Sequence, residues 1–194
     1  MKNTLSALMV LCAVLSINAQ NTALKTNLIS DAGGHVNLGL ERTLTRLGPL
    51  WSLDLTGDYR SWDGRSQARR HLLGMAELRH WQCDPLLGSF LSVHVLAGTF
   101  NYGGIDCDLH FPGTDLRELR DRRFQGWSCG LGLGAGHDWA IDRHWNIEAQ
   151  VALGWVHSWY DRFNCLGCGR MTDHLLEHNY WGPTKLSLSI VYLP

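Results

Sequence analysis

The sequence lacks a long apolar run beyond its first twenty residues, and it lacks an excess of charge of either sign. No stretch after residue 20 reaches the roughly 18 consecutive apolar residues that a membrane-spanning helix needs. The 17 Lys and Arg residues are balanced by 18 Asp and Glu residues, so the formal net charge is −1. Nucleic-acid-binding domains usually carry a basic patch. These absences exclude a membrane protein built from helices and argue against a nucleic-acid partner.

The first twenty residues have the pattern of an export signal. Lys2 supplies a small positive region, and residues 5–17 form an apolar core of the length typical of secretory signals. A cleavage site follows Ala19. We therefore predict a cleaved signal peptide over residues 1–19, followed by a single domain over residues 20–194.

Cysteine is scarce, and its count is odd once the signal is removed. Six cysteines are present, and Cys12 lies inside the predicted signal. An odd number in an exported chain leaves at least one free thiol. An oxidising compartment favours a disulfide between Cys165 and Cys168. Pairing of one of them with Cys107, or a zinc site completed by His174 and His178, is the alternative.

What the sequence does contain is a pair of long alternating segments between residues 124 and 160. In the second segment one parity is apolar, from Trp145 to Trp155, and the other is polar or small. The first segment sets apolar residues against a row of glycines. Because side chains alternate faces along a strand, each segment has one apolar face. Length, aromatic ends and a small-residue face together predict a transmembrane β-hairpin with its apolar side toward lipid.

The same alternation recurs along the chain. It predicts eight strands, near residues 23–29, 36–41, 51–59, 72–81, 91–98, 124–140, 145–160 and 180–192. The long polar segments 60–70, 101–123 and 161–178 then fall at one end, and short turns near 44–49, 83–88 and 141–143 fall at the other. Long external loops opposite short periplasmic turns are typical of outer-membrane barrels. We predict an all-β, eight-stranded, antiparallel, up-and-down transmembrane β-barrel.

The inward parity of these strands carries charged residues. An eight-stranded barrel is just wide enough for side chains to fill it, and buried charges must pair or stay hydrated. We therefore expect a salt-bridged plug in the lumen, not an open pore. Its members are Lys25, Glu41, Asp54, Glu77, Arg79, Glu148 and Lys185.

Aromatic residues lie mostly near the predicted strand ends. Such a distribution is typical of the belts that membrane proteins place at both bilayer interfaces. The predicted girdle comprises Trp51, Tyr59, Trp127, Trp145, Trp155 and Tyr180.

Two other functions are compatible with the pattern. An enzyme that modifies lipid A would place a nucleophile, a base and an acid near the outer rim, and Ser92 and His94 share the inward parity with Glu77 and Glu148. A soluble, lipocalin-like periplasmic barrel would instead turn its apolar parity inward to hold a ligand. Arginines in segments 60–70 and 117–123 could also meet lipopolysaccharide phosphates.

Seven short blocks follow one another along the chain: Ala23-Leu-Lys-Thr-Asn27, Asn37-Leu-Gly-Leu-Glu41, Asn101-Tyr-Gly-Gly-Ile105, Phe124-Gln-Gly-Trp127, Trp145-Asn-Ile-Glu148, Cys165-Leu-Gly-Cys-Gly169 and Tyr180-Trp-Gly-Pro-Thr-Lys185. Together and in this order they resemble the domain-of-unknown-function family 3575, found in exported proteins of Bacteroidota. The resemblance covers essentially the whole mature chain. It implies an outer-membrane β-barrel, often encoded near fimbrial or adhesin components, with no established catalytic activity and no functional residues to transfer.

Together these observations predict a monomeric, non-enzymatic protein of the outer membrane of a Gram-negative cell, with surface-exposed loops. No cofactor or metal is expected. The expected partners are outer-membrane lipid and lipopolysaccharide, together with a fimbrial or other surface protein, so that the role is structural or one of interaction.

Overall fold

The chain is built almost entirely from β-strands. A computed structural model describes residues 21–61, 68–106, 108, 110–111, 114–164 and 171–194. The predicted signal peptide and the pair Cys165 and Cys168 lie outside the described residues. The strands are β1 (Thr22–Asn27), β2 (Val36–Thr43), β3 (Trp51–Arg60), β4 (Ala68–Trp81), β5 (Gly88–Gly103), β6 (His110–Phe111), β7 (Thr114–Asp115), β8 (Arg123–Ala140), β9 (Trp145–Phe163) and β10 (Met171–Tyr192). A short helix, α1 (Leu28–Ala32), follows β1, and a 3-10 helix (Leu116–Arg120) precedes β8.

Eight of the strands close into one antiparallel ring. The order around this closed barrel is β1-β10-β9-β8-β5-β4-β3-β2, so each strand pairs with its neighbours along the chain. The ring closes where Leu24 of β1 lies opposite Tyr192 of β10. Strands β6 and β7 form a separate two-stranded hairpin. The prediction of eight antiparallel strands in up-and-down order is confirmed.

The connections at the two ends of the ring differ mainly in one long link. At one end, here called the turn end, lie the short links 44–50, 82–87 and 141–144, together with the start of β1 and the end of β10. At the other, the loop end, lie the links that follow β1, β3, β5 and β9. The link after β5 contains the small hairpin and the 3-10 helix. The three predicted polar segments fall at one end and the three predicted turns at the other, but only the link after β5, residues 104–122, is much longer than the turns.

Strands at the loop end are longer than the alternation predicts. Strand β9 continues to Phe163 and β10 already begins at Met171, so the predicted loop over 161–178 is mostly strand. Likewise, β4 begins at Ala68 within the predicted loop over 60–70. At these ends both strand faces carry polar residues, such as Arg162, which lies opposite Asp173. Period-two alternation of apolar and polar residues is therefore absent there, although the backbone pairing continues.

The first predicted strand is shorter than expected, because a helix begins before its end. The side chain of Asn27 accepts a hydrogen bond from the backbone N–H of Ile29 at 3.1 Å. Asn is a favoured residue at a helix N-cap, where its side chain satisfies one of the free N–H groups. Strand β1 consequently ends at Asn27, and residues 28–32 form α1 in place of the end of the strand.

Polar residues fill the interior of the ring, and apolar residues cover its outside. Strand β5 illustrates the rule: Leu91 and Val95 are 62% and 58% exposed, whereas Ser92 and His94 are 5% and 1% exposed. The largest fully buried side chains include Arg79, Glu41, Glu77 and others that carry charge. A soluble protein rarely buries charged residues while it exposes rows of large apolar ones.

A small apolar cluster lies in the lumen at the turn end. Trp81 and Phe90 are its largest members, with ring centroids 4.7 Å apart. The indole Nε1 of Trp81 donates to Ser52 Oγ at 2.8 Å. The remaining buried members are Ala23, Leu86 and Val191. Apolar packing thus fills part of the lumen at this end, beside the buried polar residues Asp138 and Asn146, and charged residues line it further up.

Candidate functional site

Arg79 is the centre of a charged cluster in the lumen. It lies on β4, is fully buried, and its guanidinium contacts four carboxylates. The closest N–O distances are 2.9 Å to Glu41, 2.8 Å to Asp54, 2.5 Å to Glu77 and 2.7 Å to Glu148. A planar guanidinium has five donors in a fixed fork, which allows one side chain to serve several strands.

Two lysines complete the cluster from neighbouring strands. Lys25 of β1 contacts Glu41, and its Nζ lies 2.5 Å from Glu148. Lys185 of β10 contacts Glu77 at 3.1 Å. The structure therefore brings together all seven charged residues assigned to the lumen from the sequence. Four carboxylates and three cations leave this group, here called the lumen network, with a formal charge of −1.

Uncharged polar residues tie the lumen network together. Arg79 donates to Gln150 Oε1 at 2.9 Å, and Gln150 Nε2 donates to Glu77 at 2.8 Å. Ser52 donates to Glu41. Sequence analysis did not assign Gln150 or Ser52 to this site, although both lie on the inward parity of their strands.

Little free volume remains around the lumen network. The cavity beside it, lined by residues such as Lys25, Asp54 and Glu148, measures about 40 Å³. One water molecule occupies roughly 30 Å³ of liquid. This cavity therefore has room for about one water.

Ser92 and His94, the candidate catalytic pair, are both buried in the lumen but have separate partners. His94 Nε2 lies 3.0 Å from Thr184 Oγ1. Ser92 Oγ accepts from Gln150 Nε2 at 3.2 Å. Within the described part of the chain, no hydrogen bond joins Ser92 to His94. The arrangement of nucleophile and base that nucleophilic catalysis needs is not assembled in this geometry.

A larger cavity opens above the lumen network toward the loop end. Its volume is about 460 Å³, and we call it the vestibule. Leu73, Phe100, Ser128 and Ser158 are among its lining residues, with a group of hydrogen-bonded polar residues on one side. This compartment was not predicted from the sequence.

The polar group of the vestibule is formed by His35, Asp58, His71 and Tyr102. Asp58 Oδ1 lies 3.1 Å from His35 Nδ1 and 2.5 Å from His71 Nε2. The hydroxyl of Tyr102 lies 2.7 Å from His71 Nδ1. One ligand atom from each of His35, Asp58 and His71 lies within 4.8 Å of the others, as a metal site requires.

Sequence analysis missed this group because its members belong to separate elements. His35 precedes β2, and Asp58 and His71 lie at the loop ends of β3 and β4. The parity of Asp58 matches that of Asp54, and the parity of His71 matches that of Glu77, so extending both strands would have placed them inward. No characteristic spacing joins the three residues.

The predicted aromatic girdle lies largely on the outer surface. Tyr59, Trp127 and Trp145 are exposed, and Trp51 and Trp155 are partly exposed. The ring of Trp127 stacks on Trp159 with centroids 4.0 Å apart. Trp139 and Trp181 are also exposed on this surface.

Tyr180 is the one predicted girdle residue that faces the other way. A pairing irregularity between Pro183 and Lys185 shifts the parity of β10. Tyr180 consequently lies over Gly182, on the lumen side, and its hydroxyl donates to the carbonyl of Pro183 at 3.1 Å. Trp181, 62% exposed, takes the outward position. Counting back from the outward-facing Leu186 in steps of two, without the irregularity, places Tyr180 on the outer face, which is wrong.

The outer part of the β9–β10 hairpin is held by polar contacts. Asp161 accepts from the backbone N–H of Leu175 at 3.0 Å and lies 2.7 Å from His174 Nδ1. The hydrogen bond from Leu175 holds the pKa of the Asp161 carboxyl below its usual range. Arg162 and Asp173 form an ion pair at 2.6 Å across the same two strands.

The cysteine predictions remain open. Cys83 and Cys129 have free thiols. Cys107, Cys165 and Cys168 lie outside the described residues, and with them the proposed disulfide and its zinc alternative.

Comparison with known proteins gives one match. The model of a family described as "Protein of unknown function (DUF3575)" matches residues 5–193, nearly the whole chain. Neither a curated protein nor a solved structure matches it. Within the segments that the structure describes, no helix is long and apolar enough to cross a membrane.

Proposed function

The chain belongs to the DUF3575 family, whose function is unknown, and from its own residues we propose that it is a non-enzymatic β-barrel of the outer membrane. The observation that carries the proposal is the arrangement of the ring, with apolar side chains outside and a paired charge network inside. A bilayer offers no water to an outer surface, so exposed apolar rows are favourable there and costly in water. The apolar-inward arrangement of a soluble ligand-binding barrel is not the one found.

The size of the apolar band supports the proposal. On β9 the exposed apolar positions run from Trp145 to Trp155, ten residues apart by number. A tilted strand crosses a bilayer in about 9–11 residues. On β10 the interval from Trp181 to Tyr192 is similar. Aromatic residues at both limits fit the two interfaces of a membrane.

The proposed orientation puts the loop end outside the cell. Beyond Trp155, β9 continues for eight residues to Phe163, and β10 extends alongside it. These strands, the small hairpin and the 3-10 helix would form an external platform. We propose that the platform has a structural or interaction role, with a fimbrial or other surface protein as partner. That partner class rests on family resemblance.

Arginines near the loop end support lipopolysaccharide as the lipid partner. Arg70, Arg117 and Arg120 are exposed there. Guanidinium groups bind phosphate in a bidentate manner, and the proposed orientation puts these groups on the outer side of the membrane, the side that carries lipid A. The signal peptide over residues 1–19 supplies the export step in this proposal, and the protein acts as a monomer.

Fractionation combined with gel mobility tests the proposal directly. We expect the protein in the outer-membrane fraction, with an electrophoretic mobility that changes on boiling because a folded barrel resists detergent until heated. A soluble periplasmic band with unchanged mobility would contradict it. The protein would then be a soluble one with an apolar exterior, and its partner would have to be sought on that basis.

Cysteine labelling tests the orientation. Cys83 is exposed at the turn end, and Asp121 is exposed at the loop end. With the other cysteines changed to Ser, a membrane-impermeant maleimide should label Asp121→Cys in intact cells. It should label Cys83 only after the outer membrane is permeabilised. The reverse pattern would show that the loop end faces the periplasm.

Electrical recording tests the lumen as a plug. Since the cavity at the lumen network measures only about 40 Å³, the protein should show no steady conductance in a planar bilayer. A stable open channel, seen in protein whose mobility shift proves it folded, would contradict the plug. Protein-free bilayers under the same voltage serve as the control.

A further inference from the structure

We propose that the vestibule contains a binding site for one divalent transition-metal ion of the zinc class, with His35, Asp58 and His71 as ligands. This site lies above the lumen network and is independent of the disulfide or zinc alternatives at Cys165 and Cys168. It gives the loop end a chemical function in addition to a structural one.

The donor set and its geometry carry the proposal. Two imidazoles and a carboxylate are ligands that zinc prefers, with bonds of about 2.0–2.2 Å. In a tetrahedral site such ligand atoms stand about 3.4 Å apart. Asp58 Oδ1 is 3.1 Å from His35 Nδ1 and 2.5 Å from His71 Nε2. A shift of under about 1 Å at the Asp58–His71 contact would therefore admit the ion.

The sheet holds two of the ligands in place. Arg60, next but one to Asp58 on β3, lies directly opposite His71 on β4. The third ligand, His35, comes just before Val36, which lies opposite Tyr59. Adjacent strands thus fix the backbone spacing of Asp58 and His71 before any ion binds, and His35 is attached directly to the start of β2. Ligands positioned by rigid elements lose less entropy when they bind a metal.

Tyr102 supplies the outer contact that metal-bound histidines usually have. Its hydroxyl lies 2.7 Å from His71 Nδ1, the ring nitrogen away from Asp58. A neutral imidazole that binds metal through Nε2 carries its proton on Nδ1, and that N–H needs an acceptor. The oxygen of Tyr102 can accept it. In the present arrangement His71 Nε2 donates to Asp58 and Nδ1 accepts from the Tyr102 hydroxyl, so Tyr102 changes from donor to acceptor when Nε2 binds the ion.

Three protein ligands leave a fourth position open. Zinc sites of this kind hold water or an exchangeable ligand in that position. Here the adjoining space is the vestibule of about 460 Å³. The fourth ligand could therefore exchange through the loop end.

In the present arrangement Arg60 disfavours binding of the ion. Its Nη1 donates to His35 Nε2 at 3.0 Å, which leaves the ring proton on Nδ1, toward Asp58. When a metal takes Nδ1, the proton must sit on Nε2, and Arg60 has to turn away. Removing this guanidinium should therefore tighten binding. Gln at this position can accept the Nε2 proton.

Competition titration tests the site. Full-length mature protein with Cys165→Ser and Cys168→Ser is folded in detergent, stripped with chelator, and titrated with Zn²⁺ against a chromophoric chelator. We expect one ion per chain, its loss in His71→Ala, and binding weakened about 10- to 100-fold in Tyr102→Phe. Arg60→Gln should bind more tightly. The control variant His144→Ala, at the turn end, should bind Zn²⁺ with the same affinity as the parent.

Folding is checked separately by the mobility shift on boiling. If the His71→Ala variant loses that shift, the Zn²⁺ affinity of the Asp58→Asn variant is measured in its place. No stoichiometric Zn²⁺ in the folded parent would overturn the proposal. So would an affinity that His71→Ala or Asp58→Asn leaves unchanged while the barrel is folded, because the bound ion would then lie elsewhere.

Discussion

Replacing Arg79 with Met should destabilise the barrel by about 3–5 kcal/mol, the cost typical of removing one partner from a buried ion pair. Arg79 is fully buried and contacts Glu41, Asp54, Glu77 and Glu148. Without it, four buried carboxylates share two lysines. Denaturant unfolding in lipid vesicles, followed by tryptophan fluorescence and gel mobility, would measure the loss.

Arg143→Met is the matched control, because Arg143 is exposed in the turn between β8 and β9. Its free energy of unfolding should stay within about 0.5 kcal/mol of the parent. Adding Glu148→Gln to Arg79→Met should recover part of the loss, since one unpaired carboxylate is removed. An Arg79→Met barrel as stable as the Arg143→Met barrel would mean that water reaches the carboxylates and that the lumen is not closed at this level.

The lumen network helps to specify the strand register as well as to fill the lumen. Replacing a whole buried ion-pair network by apolar residues of similar volume is often neutral or stabilising, so stability alone does not explain its presence. Its seven members come from six strands, among them Lys25 on β1, Arg79 on β4 and Glu148 on β9. Contacts among these residues form only when distant strands are in register. The network therefore selects the closed ring over slipped pairings.

The sequence predicted those parts of the strands that have one apolar face and one polar face. Where one strand face is apolar and the other polar, as at Leu91 and Ser92, period-two alternation marks both the strand and its inward side. The charged residues of the lumen network could be assigned from this parity alone. Loop-end residues such as Arg162 and Asp173 have polar neighbours on both faces, so their strands were missed.

Two other features could not be read from a local pattern. The parity shift near Pro183 depends on how β10 pairs with β9, and it turned Tyr180 inward. The vestibule group depends on the ring closing so that His35, Asp58 and His71 converge. Their positions differ by 23 and 13 residues, and no motif connects them. Each feature arises from register, which only the assembled sheet defines.

Glycine is required at one row where three neighbouring strands lie side by side in the sheet. Gly154 of β9 lies opposite Gly132 of β8 and Gly182 of β10. A Cβ added at Gly154 would lie 2.3 Å from the carbonyl oxygen of Leu131 and 2.7 Å from the Cα of Gly132. Both are backbone atoms, which cannot move without disturbing the sheet. The row also leaves room for the ring of His94, which lies against Gly132.

Gly154→Ala should therefore lower the free energy of unfolding by about 1–3 kcal/mol, the usual cost of overpacking. Gly57→Ala, on β3, is the matched control, because nothing lies within 4 Å of the added Cβ. That variant should be neutral or slightly stabilising, since Ala costs less backbone entropy than Gly. Unfolding of both variants in the same vesicles separates the two effects. A loss confined to Gly154→Ala follows from the backbone contact, whereas equal stabilities would mean that the strands can separate at this row without cost.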